Sequence, residues 1–193
     1  MFPALPMDER TDDTRLLSLD YKAVDLSEYF KEFNAKFYLS DVSHLMDNKE
    51  RPFSDTVVAV SDIQARTYGF RIDGQFSKNR NDILVGTDYE HILKDGERTK
   101  TFIMQPTMPV MTENLWNDAD IQNIGLFAIY HRQWGDFQLD AALRADFNKG
   151  RSGELKLEKM GNTVFYDNDV SSDYTNISFS LGGRYKVSDL FSL

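Results

Sequence analysis

A histidine and a methionine with metal-binding chemistry, His44 and Met46, lie two residues apart in the run YFKEFNAKFYLSDVSHLMDN at positions 29–48. A thioether is a soft ligand and an imidazole an intermediate one, and this combination favours Cu(I) over zinc, calcium or magnesium. Neither side chain has a tightly held proton to release, so the pair can hold a metal ion near neutral pH. The alternative is that Met46 only packs against its neighbours.

The residues before this pair alternate between apolar and polar side chains. Positions 33, 35, 37 and 39 are apolar, and positions 34, 36, 38 and 40 are polar. This period of two predicts a strand with one apolar and one polar face, and His44 and Met46 continue the polar face. At a rise of about 3.3 Å per residue, their attachment points are about 7 Å apart, so both side chains can reach one ion.

Further segments of the chain show the same alternation. They predict strands at 14–24, 63–76, 82–91, 121–134, 137–147 and 176–187, with another beginning after a turn at 188–189. The connections alternate between short and long, and the long ones are predicted at 47–62, 92–120 and 148–174.

Loops of this length count against a compact soluble domain, whereas membrane barrels have short turns at one end and long loops at the other. The strands also reach or exceed the length of about 9–11 residues that crosses a bilayer. The sequence therefore predicts an all-β fold, an antiparallel up-and-down meander that is part of a transmembrane β-barrel and supplies about seven or eight of its strands. A soluble sandwich or lipocalin-like barrel is the alternative.

The composition excludes several classes of function. The 193 residues carry a net charge of −9, which argues against a nucleic-acid partner because nothing neutralises phosphates. There is no cysteine, and hence no disulfide or thiolate metal site. The sequence has no Gly-rich phosphate loop, nucleophile elbow or HExxH motif, so we expect no enzymatic activity and no organic cofactor. No apolar run approaches the ~20 residues of a membrane helix, and no signal peptide is evident.

A second group of soft ligands lies in the loop predicted at 92–120. Met104, Met108 and Met111 form the run MQPTMPVM. If the short turns face the periplasm, this loop and the His44–Met46 pair both lie at the extracellular end of the barrel. The three methionines then form either a capture surface for copper or packing between the loop and the rim.

Parts of the sequence resemble a known family. IGLFAIYHRQWGDFQLDAALRADFN and NISFSLGGRYKVSDLFSL resemble the central barrel strands of TonB-dependent outer-membrane receptors, and LPMDERTDDTRLLSLDY with FYLSDVSHLMDN resembles their copper-receptor branch. The resemblance implies a bacterial outer-membrane barrel of about 22 strands, filled by a plug domain and energised through TonB. It also implies that a His-x-Met pair on the wall, here His44 and Met46, contributes to a copper site whose cysteine and second methionine come from the plug.

We therefore expect residues 1–193 to be a partial transmembrane barrel domain, a fragment without plug or signal peptide, from a receptor for copper uptake. The transported ion is expected to be Cu(I), and the partners are outer-membrane lipid and, through the plug, the TonB complex. Two alternatives stay open: a receptor of the same type for another cargo such as an iron chelate, and a small barrel complete in itself.

Overall fold

The computed structural model describes residues 6–159, 162–167, 170–188 and 191–192. The strands are β1 (Asp8–Val24), β2 (Phe30–Asp47), β3 (Val57–Lys78), β4 (Asn81–Phe102), β5 (Met111–Trp134), β6 (Phe137–Ser152), β7 (Leu155–Lys159), β8 (Asn162–Asp167), β9 (Val170–Ser188) and β10 (Phe191–Ser192). Among the described residues, no helix is long and apolar enough to cross a membrane.

All ten strands belong to one antiparallel sheet. Its order is β1-β2-β3-β4-β5-β6-β9-β10, and β7 and β8 form a hairpin that pairs with β5 beside this path. Seven of the strands are long, with 16 to 24 residues each. The prediction of an all-β antiparallel meander is confirmed.

At the end of the sheet where the longer connections lie, the predicted strand boundaries are wrong. β1 begins at Asp8 instead of position 14, and the loop predicted at 47–62 shrinks to 48–56. The loop predicted at 92–120 shrinks to 103–110, and the one predicted at 148–174 contains the end of β6, the β7–β8 hairpin and the start of β9. The strand predicted after position 189 lies partly outside the described residues.

The two faces of the sheet differ in chemistry. Side chains directly opposite one another on paired strands share a face. The register places Phe37, Phe70, Tyr89, Ile124 and Phe147 in one row across five strands. The face that carries this row is called the apolar face. The other face, called the polar face, carries the row of Lys36, Arg71, Asp88, Gly125 and Asp146.

The apolar face has no protein layer packed over it. Among the apolar residues described, only Ala59 and Ala119 are buried, whereas Phe179 is 82% and Leu143 is 56% exposed. A sheet that leaves such side chains uncovered is stabilised only when another apolar medium covers them. This distribution is the one expected of a barrel wall whose apolar face meets lipid.

Tight turns fix the register at the short-turn end of the sheet. The two residues between β3 and β4, Asn79 and Arg80, both have positive φ angles of 51° and 65°. This is the conformation of a type I′ turn, whose twist matches that of the strands it joins. Gly135 supplies the positive φ, 55°, in the turn between β5 and β6. The opposite end of the strands is called the long-connection end, because the connections there, such as 48–56 and 103–110, are longer.

Candidate metal site at the long-connection end

His44 and Met46 lie near the end of β2, on the polar face. The pairing of β2 with β3 is continuous from Glu32 to Asp47, so the alternation of faces is unbroken along this segment. On the other side of β2, Asp12 is directly opposite His44 and Glu9 is directly opposite Met46. Four potential metal ligands therefore occupy two neighbouring cross-strand pairs on one face.

Three of these side chains converge. Glu9, Asp12 and His44 each offer one ligand atom, and these atoms all lie within 4.8 Å of one another. The distance from Nδ1 of His44 to Oε1 of Glu9 is 3.9 Å. The His44 side chain is 26% exposed and that of Glu9 is 50% exposed, so the group is open to solvent on one side.

A β-bulge in β1 makes this convergence possible. The register shifts between Glu9 and Thr11, and Arg10 has no partner residue on β2. Because side chains alternate along a strand, residues three apart normally face opposite sides. The extra residue restores Glu9 to the face that carries Asp12.

Among the described residues, the Arg10 side chain forms ion pairs with Asp47 and Glu50 rather than with Glu9 or Asp12. Its Nε donates to Oδ1 of Asp47 at 3.0 Å and its Nη1 donates to Oε1 of Glu50 at 3.1 Å. Asp47 ends β2, well beyond the part of the strand that carries the apolar face. Hydrogen bonds from Arg10 and from the backbone N–H of Lys49 hold the pKa of Asp47 below its ordinary value. Asp47 therefore stays ionised and keeps Arg10 engaged.

A second thioether lies near Met46. Ser61 of β3 is directly opposite Met46, is fully buried, and donates its hydroxyl to Sδ of Met7 at 3.9 Å. Arg98 of β4 in turn donates from Nε to Oγ of Ser61 at 2.9 Å. Met7 thus brings its sulfur to the same part of the polar face as Met46.

Of the three loop methionines, Met111 lies away from this group, and Met104 and Met108 lie in the connection between β4 and β5. Met104 is 68% exposed in the connection 103–110, where the backbone N–H of Met108 donates to the carbonyl of Gln105. Met111 begins β5, so strands β3 and β4 stand between it and β2. At a strand spacing of about 4.8 Å, that separation is about 14 Å, too far for one ion to be shared with Met46.

Away from this end, carboxylates on the polar face are paired with arginines. Arg144 of β6 reaches Asp88 of β4 with two hydrogen bonds of 2.8 and 2.9 Å, and its Nε donates to Asp146 at 2.8 Å. Arg71 donates to Asp73 at 3.2 Å. The two arginines offset part of the negative charge of these three carboxylates.

The sequence predicts His44 and Met46 as ligands but assigns Met7, Glu9 and Asp12 to a loop, because the segment up to about position 13 is polar and contains prolines. The structure instead places Glu9 and Asp12 in β1, opposite Met46 and His44. Antiparallel pairing of β1 backward from Val24 would have set Asp12 opposite His44. The bulge that places Glu9 on the polar face could not be predicted from the sequence pattern.

Comparison with known proteins gives one family and several similar structures. The family described as TonB-dependent receptor-like β-barrel matches residues 3–193. The copper transporter OprC is similar in structure with a TM-score of 0.74 and 19% identity, over 95% of this chain. The ferric yersiniabactin uptake receptor FyuA from Yersinia pestis has a TM-score of 0.70 and 14% identity over 92%. The ferric citrate transporter FecA has a TM-score of 0.62 and 12% identity, also over 92%. No curated protein matches the sequence.

The chain spans 30% of the OprC chain and 26% of each of the FyuA and FecA chains. At these identities the likeness concerns the fold. The partial coverage of the similar structures agrees with an open sheet. Its two edge strands, β1 and β10, are not paired with each other in the described residues.

Proposed function

Because the chain belongs to the TonB-dependent receptor β-barrel family, we propose that it forms a section of the wall of an outer-membrane receptor that takes up copper. The family consists of receptors and transporters of the bacterial outer membrane, not enzymes. The observation that carries the proposal is the position of His44 and Met46 on the polar face at the end of β2. In a barrel whose apolar face meets lipid, the polar face lines the interior through which cargo passes.

The lengths of the connections support an orientation for this wall. Barrels of this kind have short turns in the periplasm and long loops outside. The short-turn end, with Gly135 and Asn79, then faces the periplasm. His44 and Met46 lie at the extracellular mouth, where an incoming ion arrives first.

The chemistry of the ligands supports copper as cargo. His44 and Met46 offer an imidazole and a thioether, and Met7 adds a second thioether near Met46. Soft sulfur ligands select Cu(I) over the hard cations that are abundant outside the cell. A plug domain would supply the remaining ligands and the contact with the TonB complex.

The same wall fold also supports a second candidate. The ferric yersiniabactin uptake receptor FyuA and the ferric citrate transporter FecA match nearly as much of this chain as OprC does. In a receptor for an iron chelate, His44 and Met46 would be incidental to transport.

The test is copper uptake by cells that carry the receptor with His44→Ala or Met46→Leu. Leucine keeps the size of methionine but removes the sulfur. Met111→Leu is the matched control, because Met111 also lies at this end but three strands away, on β5. We expect both site variants to lower TonB-dependent copper uptake to the level of cells without the receptor, while Met111→Leu retains it. Unchanged copper uptake in the site variants would refute the proposal, and receptor-dependent growth on a ferric chelate would favour the second candidate.

A further inference from the structure

The carboxylates beside His44 give this wall a second, harder set of ligands. We propose that Glu9, Asp12 and His44 bind Cu(II), so that the receptor accepts copper in its oxidised as well as its reduced form. The inference rests on the proposed uptake of copper and extends it to a ligand set that the soft His44–Met46 pair does not include.

The first support is geometric. Ligand atoms of Glu9, Asp12 and His44 lie within 4.8 Å of one another, and small side-chain rotations bring three such atoms to about 2 Å from one central ion. The cluster draws on two hydrogen-bonded strands, and the bulge at Arg10 aims Glu9 at the other two. Side chains held on paired strands lose less freedom on binding than side chains of a loop.

The second support is the absence of competing charge. In the described part of the chain, neither Glu9 nor Asp12 is paired with a lysine or arginine. Asp12 accepts a hydrogen bond from the hydroxyl of Thr14 at 3.1 Å, which leaves its negative charge uncompensated. The nearest arginine in sequence, Arg10, is held by Asp47 and Glu50. Two carboxylates held close together repel each other, and a bound divalent cation relieves that repulsion.

The third support is the type of ligand. Two carboxylate oxygens and one imidazole nitrogen suit divalent first-row metals and bind Cu(I) poorly. Among these metals, a site of nitrogen and oxygen ligands binds Cu(II) most tightly, with Zn(II) weaker. Met46, opposite Glu9, borders the same site and offers the soft ligand that a reduced ion prefers. His44 is thus shared by a hard and a soft ligand set.

The experiment measures the affinity of the purified receptor in detergent for Cu(II), and separately for Cu(I) under reducing conditions with a chromogenic Cu(I) chelator as competitor. The variants are Glu9→Gln with Asp12→Asn, which keep the shape and remove the charge, and Met46→Leu. Asp13→Asn is the matched control, because Asp13 is the next residue but faces the other side and pairs with Arg15 at 3.2 Å. Heat-modifiable migration on gels confirms that each variant is folded.

We expect the Glu9/Asp12 double variant to bind Cu(II) at least about tenfold more weakly, because even the loss of a supporting group outside the ligand shell costs that much. Its affinity for Cu(I) is expected to stay within about threefold of the parent. Met46→Leu is expected to show the reverse pattern, and Asp13→Asn to match the parent for both ions. Cu(II) spectra of the parent should also show coordination by an imidazole nitrogen.

Two outcomes separate the two proposals. If the double variant binds Cu(II) as tightly as Asp13→Asn does, the carboxylate site is refuted while the copper receptor stands. If instead Met46→Leu leaves Cu(I) binding unchanged, the soft site of the proposed function fails. Loss of Cu(II) binding in the double variant then still assigns a divalent-metal site to these carboxylates.

Discussion

Phe179 and Ser180 are neighbours in β9 that face opposite sides of the sheet. Phe179 belongs to the apolar face, opposite Leu143, and Ser180 belongs to the polar face, opposite Ala142. Both side chains are exposed in the described structure, and Phe179 is 82% exposed. Replacing either one by arginine therefore removes little packing within the sheet. The difference between Phe179→Arg and Ser180→Arg measures the medium that covers each face.

The depth of Phe179 sets the size of the effect. On β6 the apolar side runs from Phe137 to Phe147, which are opposite Tyr185 and Thr175 of β9. Ten residues at about 3.3 Å, tilted by about 40°, span about 25 Å, the height of the apolar band of an outer-membrane barrel. Phe179 lies close to the middle of this span.

An arginine at that depth on the lipid side costs about 2–4 kcal/mol, and withdrawing the phenylalanine from lipid adds about 2 kcal/mol. The arginine cost alone lowers the ratio of folded to unfolded receptor by about 30- to 700-fold. Ser180→Arg places its charge on the polar face, away from lipid, and is expected to change stability by only about 0.5 kcal/mol.

The assay is denaturant unfolding of the receptor in phospholipid vesicles, followed by tryptophan fluorescence. Each variant is compared with its parent under identical lipid and salt conditions. Equal losses of stability in the two variants, or a larger loss for Ser180→Arg, would show that the assignment of the lipid-facing side is wrong.

Two further substitutions test contacts inside the wall. At Gly86, an added Cβ would clash with the Phe127 ring and lie 2.6 Å from the backbone carbonyl oxygen of Ile72. Gly86→Ala is therefore expected to lower the free energy of unfolding by about 1–3 kcal/mol. Gly182→Ala, with no atom within 4 Å of its added Cβ, is expected to stay within about 0.5 kcal/mol, and equal effects would contradict the observed packing. Asn48 is fully buried and bonds a carbonyl and an N–H of β3 at 2.9 and 2.8 Å. Asn48→Ala is expected to cost about 2 kcal/mol or more and to speed protease cleavage within 48–56, and an unchanged cleavage rate would refute this role.

Strand positions can be predicted well from the sequence only in the segments that face lipid. Between Phe137 and Phe147 every second residue is apolar, because one side meets lipid and the other meets a polar interior. Beyond that band both faces meet polar surroundings, so the run KDGERTKT at 94–101 carries no alternation although it continues β4. Backbone pairing extends the strand there together with polar cross-strand contacts such as that of Arg98 with Ser61, and neither requires every second residue to be apolar.

The same limit explains why half of the candidate site was missed. His44 and Met46 continue an alternating strand and could be placed on its polar face from sequence alone. Glu9 and Asp12 lie in a run that is polar on both sides, and their place depends on the pairing of β1 with β2 and on the bulge at Arg10. The position of Asp12 follows if the pairing is extended backward from Val24, but the bulge that places Glu9 is not encoded in the spacing of residue types.

The distribution of charge on the polar face gives a physical reason for a cation site at the mouth. Within the depth of the apolar band, Asp88 and Asp146 share Arg144, so their negative charges are partly offset. Above the band, Glu9 and Asp12 have no such cation in the described part of the chain. In the proposed orientation, an ion that enters from outside would meet Glu9 and Asp12 first. Uncompensated carboxylates attract cations, so this group would raise the local concentration of a cation beside His44.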